Sequence, residues 1–170
     1  DGALNKIRQI RQTVLDGKVR PIYIPQDGDW IRASIVVTNG RFTQKKDVLL
    51  RLKGRFVGDH WGDPRKLSMR IKVQNNGSLL GMSKFSIQTP GSRVYQYEPL
   101  ALGMMRYVGV VAPRYIFVDV RVNDQVVGIM AMEEHFTKEL LESQKRREGP
   151  IVARDSNWMW QQADKSYNQE

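Results

Sequence analysis

The stretch RYIFVDVRVNDQVVGIMAMEEH, residues 114–135, has the pattern of two strands joined by a tight turn. β-Branched and aromatic residues dominate on both sides of Asn123-Asp124, a dipeptide typical of two-residue hairpin turns. The second strand is apolar over 126–132 and then ends on two adjacent carboxylates, Glu133 and Glu134. The stretch therefore predicts a β-hairpin whose second strand carries a pair of acidic residues at its end.

Outside this hairpin, the chain alternates between the residue spacing of helices and that of strands. Apolar residues recur at helical intervals in three segments, which are 3–18 (with Gly17 as the helix stop), 97–109 and 136–148. Strand patterns occupy 21–24, 30–38, 47–54, 66–73 and 83–89, whereas the glycines and the proline of 54–64 predict a loop. This order predicts an α+β fold, a mostly antiparallel sheet with flanking helices, in a single domain of residues 1–170.

The basic charge of the chain is concentrated in its first part. The net charge is +9, with 20 Lys and Arg against 9 Asp and Glu in residues 1–120, and 7 against 9 in residues 121–170. Such a surface attracts polyanions. No nucleic-acid-binding motif accompanies the charge, so an acidic polymer or protein is favoured over nucleic acid. The absence of cysteine excludes disulfides and thiolate chemistry, and no apolar run is long enough to predict a membrane span.

The two glutamates at the end of the hairpin belong to opposite faces of the predicted strand. Glu134 shares its face with Met130 and Met132, whereas Glu133 follows the face of Ile129. A carboxylate on an apolar face needs a cation or several hydrogen bonds. From the residues alone, two interpretations stay open. The pair is either the solvated end of a strand, or one glutamate points inward toward a cation, which the row Lys66, Ser68, Arg70, Lys72 could supply.

Five segments in a fixed order resemble the CotH kinase family, a group of atypical protein kinases first associated with spore coats. They are WIRASIVVTNG with DVLLRLKG, then RKLSMRIKV, LGMSKFSIQ, the long segment 97–136, and TKELLESQKRREGPI. The resemblance covers roughly residues 29–153. It divides the chain into an N-terminal helix and lead-in strand (1–28), a CotH-like region (29–153) and a polar tail (154–170). The resemblance implies a kinase-like N-lobe that contacts ATP.

The resemblance also implies roles for particular residues. Glu134 falls on the glutamate of the family's G-x(5)-E motif, which begins here at Gly128, and it would orient a phosphate-binding cation. Lys66, Arg70 and Lys72 fall on the basic strand expected to reach the phosphates of ATP. Other basic family positions correspond to Arg51, Lys53 and Arg114.

The function that the resemblance implies is transfer of phosphate from ATP, with Mg²⁺, to Ser or Thr of secreted or coat proteins outside the cytoplasm. The family's catalytic and Mg²⁺-binding aspartates are expected beyond residue 170. The chain is therefore expected to be an inactive fragment of a longer kinase, with no metal site of its own. The alternative interpretation is a non-catalytic cell-surface module whose basic face binds acidic polymers or coat proteins.

Overall fold

Six strands form one curled antiparallel sheet in the order β1-β2-β3-β4-β6-β5. The protein is represented by a computed structural model that describes residues 2–16, 18, 20–154 and 156–168. The strands are β1 (Ile31–Thr38), β2 (Thr43–Leu52), β3 (Met69–Val73), β4 (Lys84–Gln88), β5 (Tyr115–Val122) and β6 (Gln125–Glu134). The predicted α+β fold is confirmed.

Helices flank this sheet in the described part of the chain. They are α1 (Gly2–Leu15), α2 (Val57–Trp61), α3 (Tyr97–Tyr107), α4 (Lys138–Ser143) and α5 (Asn157–Asn168), with 3-10 turns at Asp27–Asp29 and Pro90–Arg93. The three predicted helices correspond to α1, α3 and α4, while the predicted helix stop at Gly17 lies outside the described residues. None of the described helices is long and apolar enough to cross a membrane.

The hairpin of β5 and β6 forms as predicted. Asn123 and Asp124 both have positive φ, 48° and 65°, which is the backbone that a tight two-residue hairpin turn requires. A register shift follows between Val120 and Arg121, and Gly128 opposite Val120 has a φ of 90°. This irregularity precedes residues 129–134, so their predicted alternation between the two faces is kept.

One face of the sheet forms the apolar core. Its main cluster contains Val48, Ile71, Val73, Leu79, Met82, Phe85, Ile87, Met130 and Met132. A second cluster joins the sheet to α1 and to the segment before β3, and contains Ile7, Tyr23, Ile31, Leu52, Trp61 and Leu67. Because side chains alternate along a strand, the intervening residues of β2, β3, β4 and β6 lie on the opposite face.

The segment 21–24 does not form the predicted strand. Ile22 makes only an isolated bridge to Phe56. Pro21 and Pro25 bracket the segment, and proline has no N–H to contribute to a strand ladder. Ile22 and Tyr23 are therefore buried in the core without extending the sheet.

Two further segments differ from the predictions. The loop predicted over 54–64 contains α2, and the strand predicted over 66–73 begins only at Met69. The polar tail predicted at 154–170 contains α5, whose Asp164 Oδ2 lies 2.9 Å from Lys18 Nζ. Contacts of this kind, between residues distant in the chain, stabilise a helix that the local sequence pattern does not predict.

Candidate anion-binding face

The face of the sheet opposite the apolar core carries charged and polar side chains on neighbouring strands. Arg51 in β2 lies opposite Arg70 in β3, Arg70 opposite Ser86 in β4, and Ser86 opposite Glu133 in β6. Two more residues of this face follow β2 and end β4. We call the following set the polar face: Arg51, Lys53, Arg70, Ser86, Gln88 and Glu133.

A buried ion pair lies at the centre of the polar face. Lys53 Nζ is 2.7 Å from Glu133 Oε2 and 2.5 Å from Gln88 Oε1, and Gln88 Nε2 donates to the same Glu133 oxygen at 2.9 Å. The side chains of Lys53 and Glu133 are only 10% and 16% exposed. These hydrogen bonds hold the ammonium in one position, because each partner is itself fixed by another.

The electrostatics of this pair reflect an excess of positive charge around it. Burial lowers the pKa of Lys53, and Arg93 and Arg70 lower it further, against the opposing effect of Glu133. Burial alone would raise the pKa of Glu133, but the charge and hydrogen bond of Lys53 hold it below its ordinary value. Glu133 is therefore ionised at neutral pH.

Two guanidinium groups beside this ion pair lack a full set of partners. The Nε atoms of Arg51 and Arg70 are buried and have no hydrogen-bond partner among the described residues. Arg51 stacks on Trp30, with 4.6 Å between its Cζ and the ring centroid. Burial, and next the charge of Arg51, lowers the pKa of Arg70. Two like charges opposite each other on adjacent strands destabilise a sheet, so this pair favours a bound anion.

His135 adjoins the polar face directly after β6. Its Nε2 lies 2.7 Å from Ser86 Oγ. Burial, followed by the charges of Arg70 and Lys53, lowers the pKa of His135 to about 4. The imidazole is therefore neutral at neutral pH.

This shift predicts a loss of stability in mild acid. Because the pKa of His135 is lower in the folded protein than its ordinary value of 6.5, the unfolded chain binds the proton more tightly. The free energy of unfolding should be largest above pH 6.5 and should fall by up to about 3 kcal/mol as the pH is lowered to 4. Urea unfolding of the wild type and of His135→Asn across this range measures the difference. Parallel pH dependences of the two proteins would contradict the assignment.

The segment between β2 and β3 packs against the backbone at the end of β2, at Lys53. Trp61 is fully buried and donates from Nε1 to the carbonyl oxygen of Lys53 at 2.7 Å. Gly54, with a φ of 108°, leaves no room for a side chain, since a Cβ would lie 2.2 Å from His60 Cδ2. These contacts fix the backbone that carries Lys53.

Glu134 lies on the core side of the sheet, as its alternation predicts, but with a different partner from the one expected. It is 1% exposed, and both of its oxygens accept from Arg114, at 2.7 Å from Nη2 and 2.8 Å from Nε. Arg114 also donates to the carbonyl oxygens of Leu80 and Gly81. The expectation that Glu134 orients a cation from residues 66–72 is wrong, because its face of the sheet is opposite to that of Arg70.

The three basic residues predicted to reach phosphate lie in different places. Arg70 is one of the six residues of the polar face, and Lys72 lies on the same side of β3 but outside that set. Lys66 precedes β3, and its Nζ would lie 3.8 Å from a Cβ at Gly128. Lys72 is exposed and lies opposite Lys84, further along the sheet.

The resemblance placed Lys53 only among other basic family positions, and the residues alone left open that the two glutamates form the solvated end of a strand. The solvated alternative is wrong, since Glu133 is mostly buried against Lys53. Residue alternation along β2 could have placed Lys53 on the face of Arg51. The pairing with Glu133 depends on strand order and register, which local patterns do not contain.

The residues present suit phosphate oxygens better than a metal ion. Ammonium and guanidinium groups donate hydrogen bonds to phosphate oxygens. The buried Nε atoms of Arg51 and Arg70 have no acceptor among the described residues. Among the residues that the structure describes, no three His, Asp or Glu side chains lie close enough together to hold a metal ion. We therefore assign no Mg²⁺ ligand in this part of the chain.

A family model described as CotH kinase protein matches residues 54–170, more than half of the chain. The protein belongs to the CotH kinase family, as the resemblance indicated. The match begins after β2 and includes α5, whereas the resemblance covers roughly residues 29–153. Membership of a kinase family implies a phosphotransferase that uses ATP and a protein as its substrate. A search of curated proteins finds no significant match.

Proposed function

We propose that the polar face binds the phosphates of ATP in a CotH-type protein kinase, with Lys53 as the phosphate-contacting cation and Glu133 as the residue that orients it. The observation that carries this proposal is the buried arrangement of Lys53, Glu133 and Gln88. Protein kinases hold a phosphate-binding lysine by an ion pair with a glutamate, and this arrangement has the same chemistry.

The geometry of Lys53 supports this role. An ammonium has three N–H donors, and two of those of Lys53 are used by Gln88 and Glu133 within the described residues. The third is available for a ligand. Because the pair is largely removed from water, its charges act more strongly on a ligand than surface charges do.

The charge of the surroundings supports an anionic ligand. Glu133 balances Lys53, while no acidic partner for Arg51 or Arg70 occurs among the described ion pairs. Lys72 and Lys84 add positive charge toward the exposed end of this face. Glu134 has a structural role in this proposal, through Arg114, and Lys66, which precedes β3, is given no role.

The finer parts of the function are proposals as well. The parent kinase would transfer phosphate to Ser or Thr of secreted or coat proteins outside the cytoplasm. Phosphoryl transfer needs carboxylates that hold Mg²⁺ and position the acceptor. Residues of that kind are not assigned here, so we expect this chain by itself to bind nucleotide without transferring phosphate.

Isothermal titration calorimetry of the chain with ATP tests the proposal. The wild type should bind ATP with a defined stoichiometry, and Lys53→Met should weaken binding at least tenfold, on the order of the cost of removing a desolvated charge–phosphate contact. Lys46→Met is the matched control, since Lys46 is an exposed lysine of β2, the strand that Lys53 follows. It should bind ATP as the wild type does.

A different result would favour the alternative module. If Lys53→Met and Lys46→Met bind ATP equally, and if acidic polymers bind as tightly with a steep dependence on salt, then the basic surface acts as a general polyanion-binding surface. The assignment of Lys53 and Glu133 would then be wrong.

A further inference from the structure

We propose that an anion bound between Arg51 and Arg70 brings a proton onto His135, so that ligand binding at the polar face is coupled to proton uptake. The inference rests on the proposed function for the ligand being a phosphate chain. The coupling itself rests on the arrangement of His135, Ser86 and the two arginines.

The imidazole of His135 lies against Ser86, a residue of the polar face. Ser86 lies between Arg70 and Glu133 in the row of opposed residues across β3, β4 and β6. His135 Nε2 is 2.7 Å from Ser86 Oγ. One serine side chain therefore connects His135 to the place where the unpartnered Arg70 Nε would meet an anion.

Positive charge predominates around His135. Three cations and one carboxylate act on the imidazole, namely Arg70 from β3, Lys53 after β2, Lys84 from β4 and Glu133 from β6. Beyond them, Arg51 lies opposite Arg70, and Glu139 on α4 lies near Lys84 and accepts from Ser83 Oγ at 2.6 Å. Arg70 and Lys53 are the charges that most oppose a proton on His135. They are also the charges that a bound phosphate would neutralise.

A protonated His135 ring can keep its hydrogen bond to Ser86. Both nitrogens of an imidazolium donate, and the hydroxyl of Ser86 can accept from one of them. Protonation therefore keeps the contact between His135 and Ser86 and places a new positive charge near the ligand. This charge would stabilise the bound anion.

The size of the effect follows from linkage. If the ligand returns the pKa of His135 from about 4 to its ordinary value of 6.5, binding at pH 5.5 should be about tenfold tighter than at pH 7.5 through this group alone. Near pH 6.5, binding should take up about half a proton on His135.

Calorimetry at pH 6.5 in two buffers of different ionisation enthalpy measures the proton uptake. ATP is the first probe and inorganic tripolyphosphate the second, each with the wild type and with His135→Asn. ATP also titrates near this pH, but its own protonation is common to both proteins, so the difference between them reports His135. The wild type should take up about half a proton more than the variant.

A second measurement needs no variant. The chain has two histidines, His60 and His135, so NMR resolves two ring signals, and His60 serves as an internal reference. Saturating tripolyphosphate should move the titration midpoint of His135 upward by two units or so, and that of His60 by much less.

The outcomes of these experiments distinguish the coupling to His135 from the binding of ATP. If ATP binds but proton uptake is the same in wild type and variant and His135 does not shift, the coupling is wrong and the proposed function stands. If tripolyphosphate binds with His135-dependent uptake while ATP does not bind, the coupling stands and ATP binding is wrong. If neither anion binds, both are wrong.

Discussion

Replacing Arg114 by methionine should lower the free energy of unfolding by about 3–5 kcal/mol, because it leaves the carboxylate of Glu134 buried without a cation. The Glu134 side chain has no exposure to water, whereas that of Arg114 is 32% exposed. Water can therefore hydrate an unpaired guanidinium of Arg114, but it cannot reach an unpaired carboxylate of Glu134. The same replacement frees the carbonyl oxygens of Leu80 and Gly81, which Arg114 holds. Urea unfolding followed by circular dichroism measures the change.

Two further variants separate the buried charge from general effects of losing an arginine. Arg121→Met removes an exposed arginine from β5, the strand that follows Arg114, and should change stability by no more than about 0.5 kcal/mol. The double variant Arg114→Met with Glu134→Leu should be more stable than Arg114→Met alone, since the uncompensated charge is gone. A single variant as stable as the wild type would mean that Glu134 is not held by Arg114.

Trp61→Ala should destabilise the protein by a similar amount, about 3–5 kcal/mol. Trp61 is fully buried in the cluster that joins α1 to the sheet, and its ring lies against Tyr23 with centroids 5.0 Å apart. Its Nε1 also supplies the donor for the carbonyl oxygen of Lys53. The substitution therefore opens a large cavity and leaves a backbone acceptor without its partner.

The chain offers a matched control for this substitution. Trp158 in α5 is 70% exposed, so Trp158→Ala should change the free energy of unfolding by no more than about 0.5 kcal/mol. Urea unfolding of both variants, followed by circular dichroism, makes the comparison. Equal losses in the two variants would contradict the placement of Trp61 in the core.

Much of the fold is predictable from local patterns. The turn residues Asn123-Asp124, the alternation of β3 and the helical spacing of 97–109 each reflect neighbours in the chain, and all three elements form. The predictions of secondary structure differ from the fold where contacts between residues distant in the chain determine the backbone conformation. The 54–68 segment is ordered by the burial of Trp61, and α5 by partners in the N-terminal segment that include Lys18.

The candidate site was predictable only in part. The sequence indicated that one of the two glutamates is inward and paired with a cation, and Glu134 is paired in this way, but with Arg114, which directly precedes the neighbouring strand β5. It also pointed to Arg70. Lys53 and Glu133, which form the centre of the polar face, received no certain role.

The sequence by itself determined the α+β class, the faces to which residues of each strand belong, and the excess of basic charge. These features follow from residue periods of 2 and 3.6 and from composition, which are local properties. Only the tertiary structure decided which charges meet. Lys53 and Glu133 are 80 residues apart in the chain, and the order and register of four strands bring them together. Register depends on the packing of the whole apolar face, so no single stretch of sequence could specify that pair.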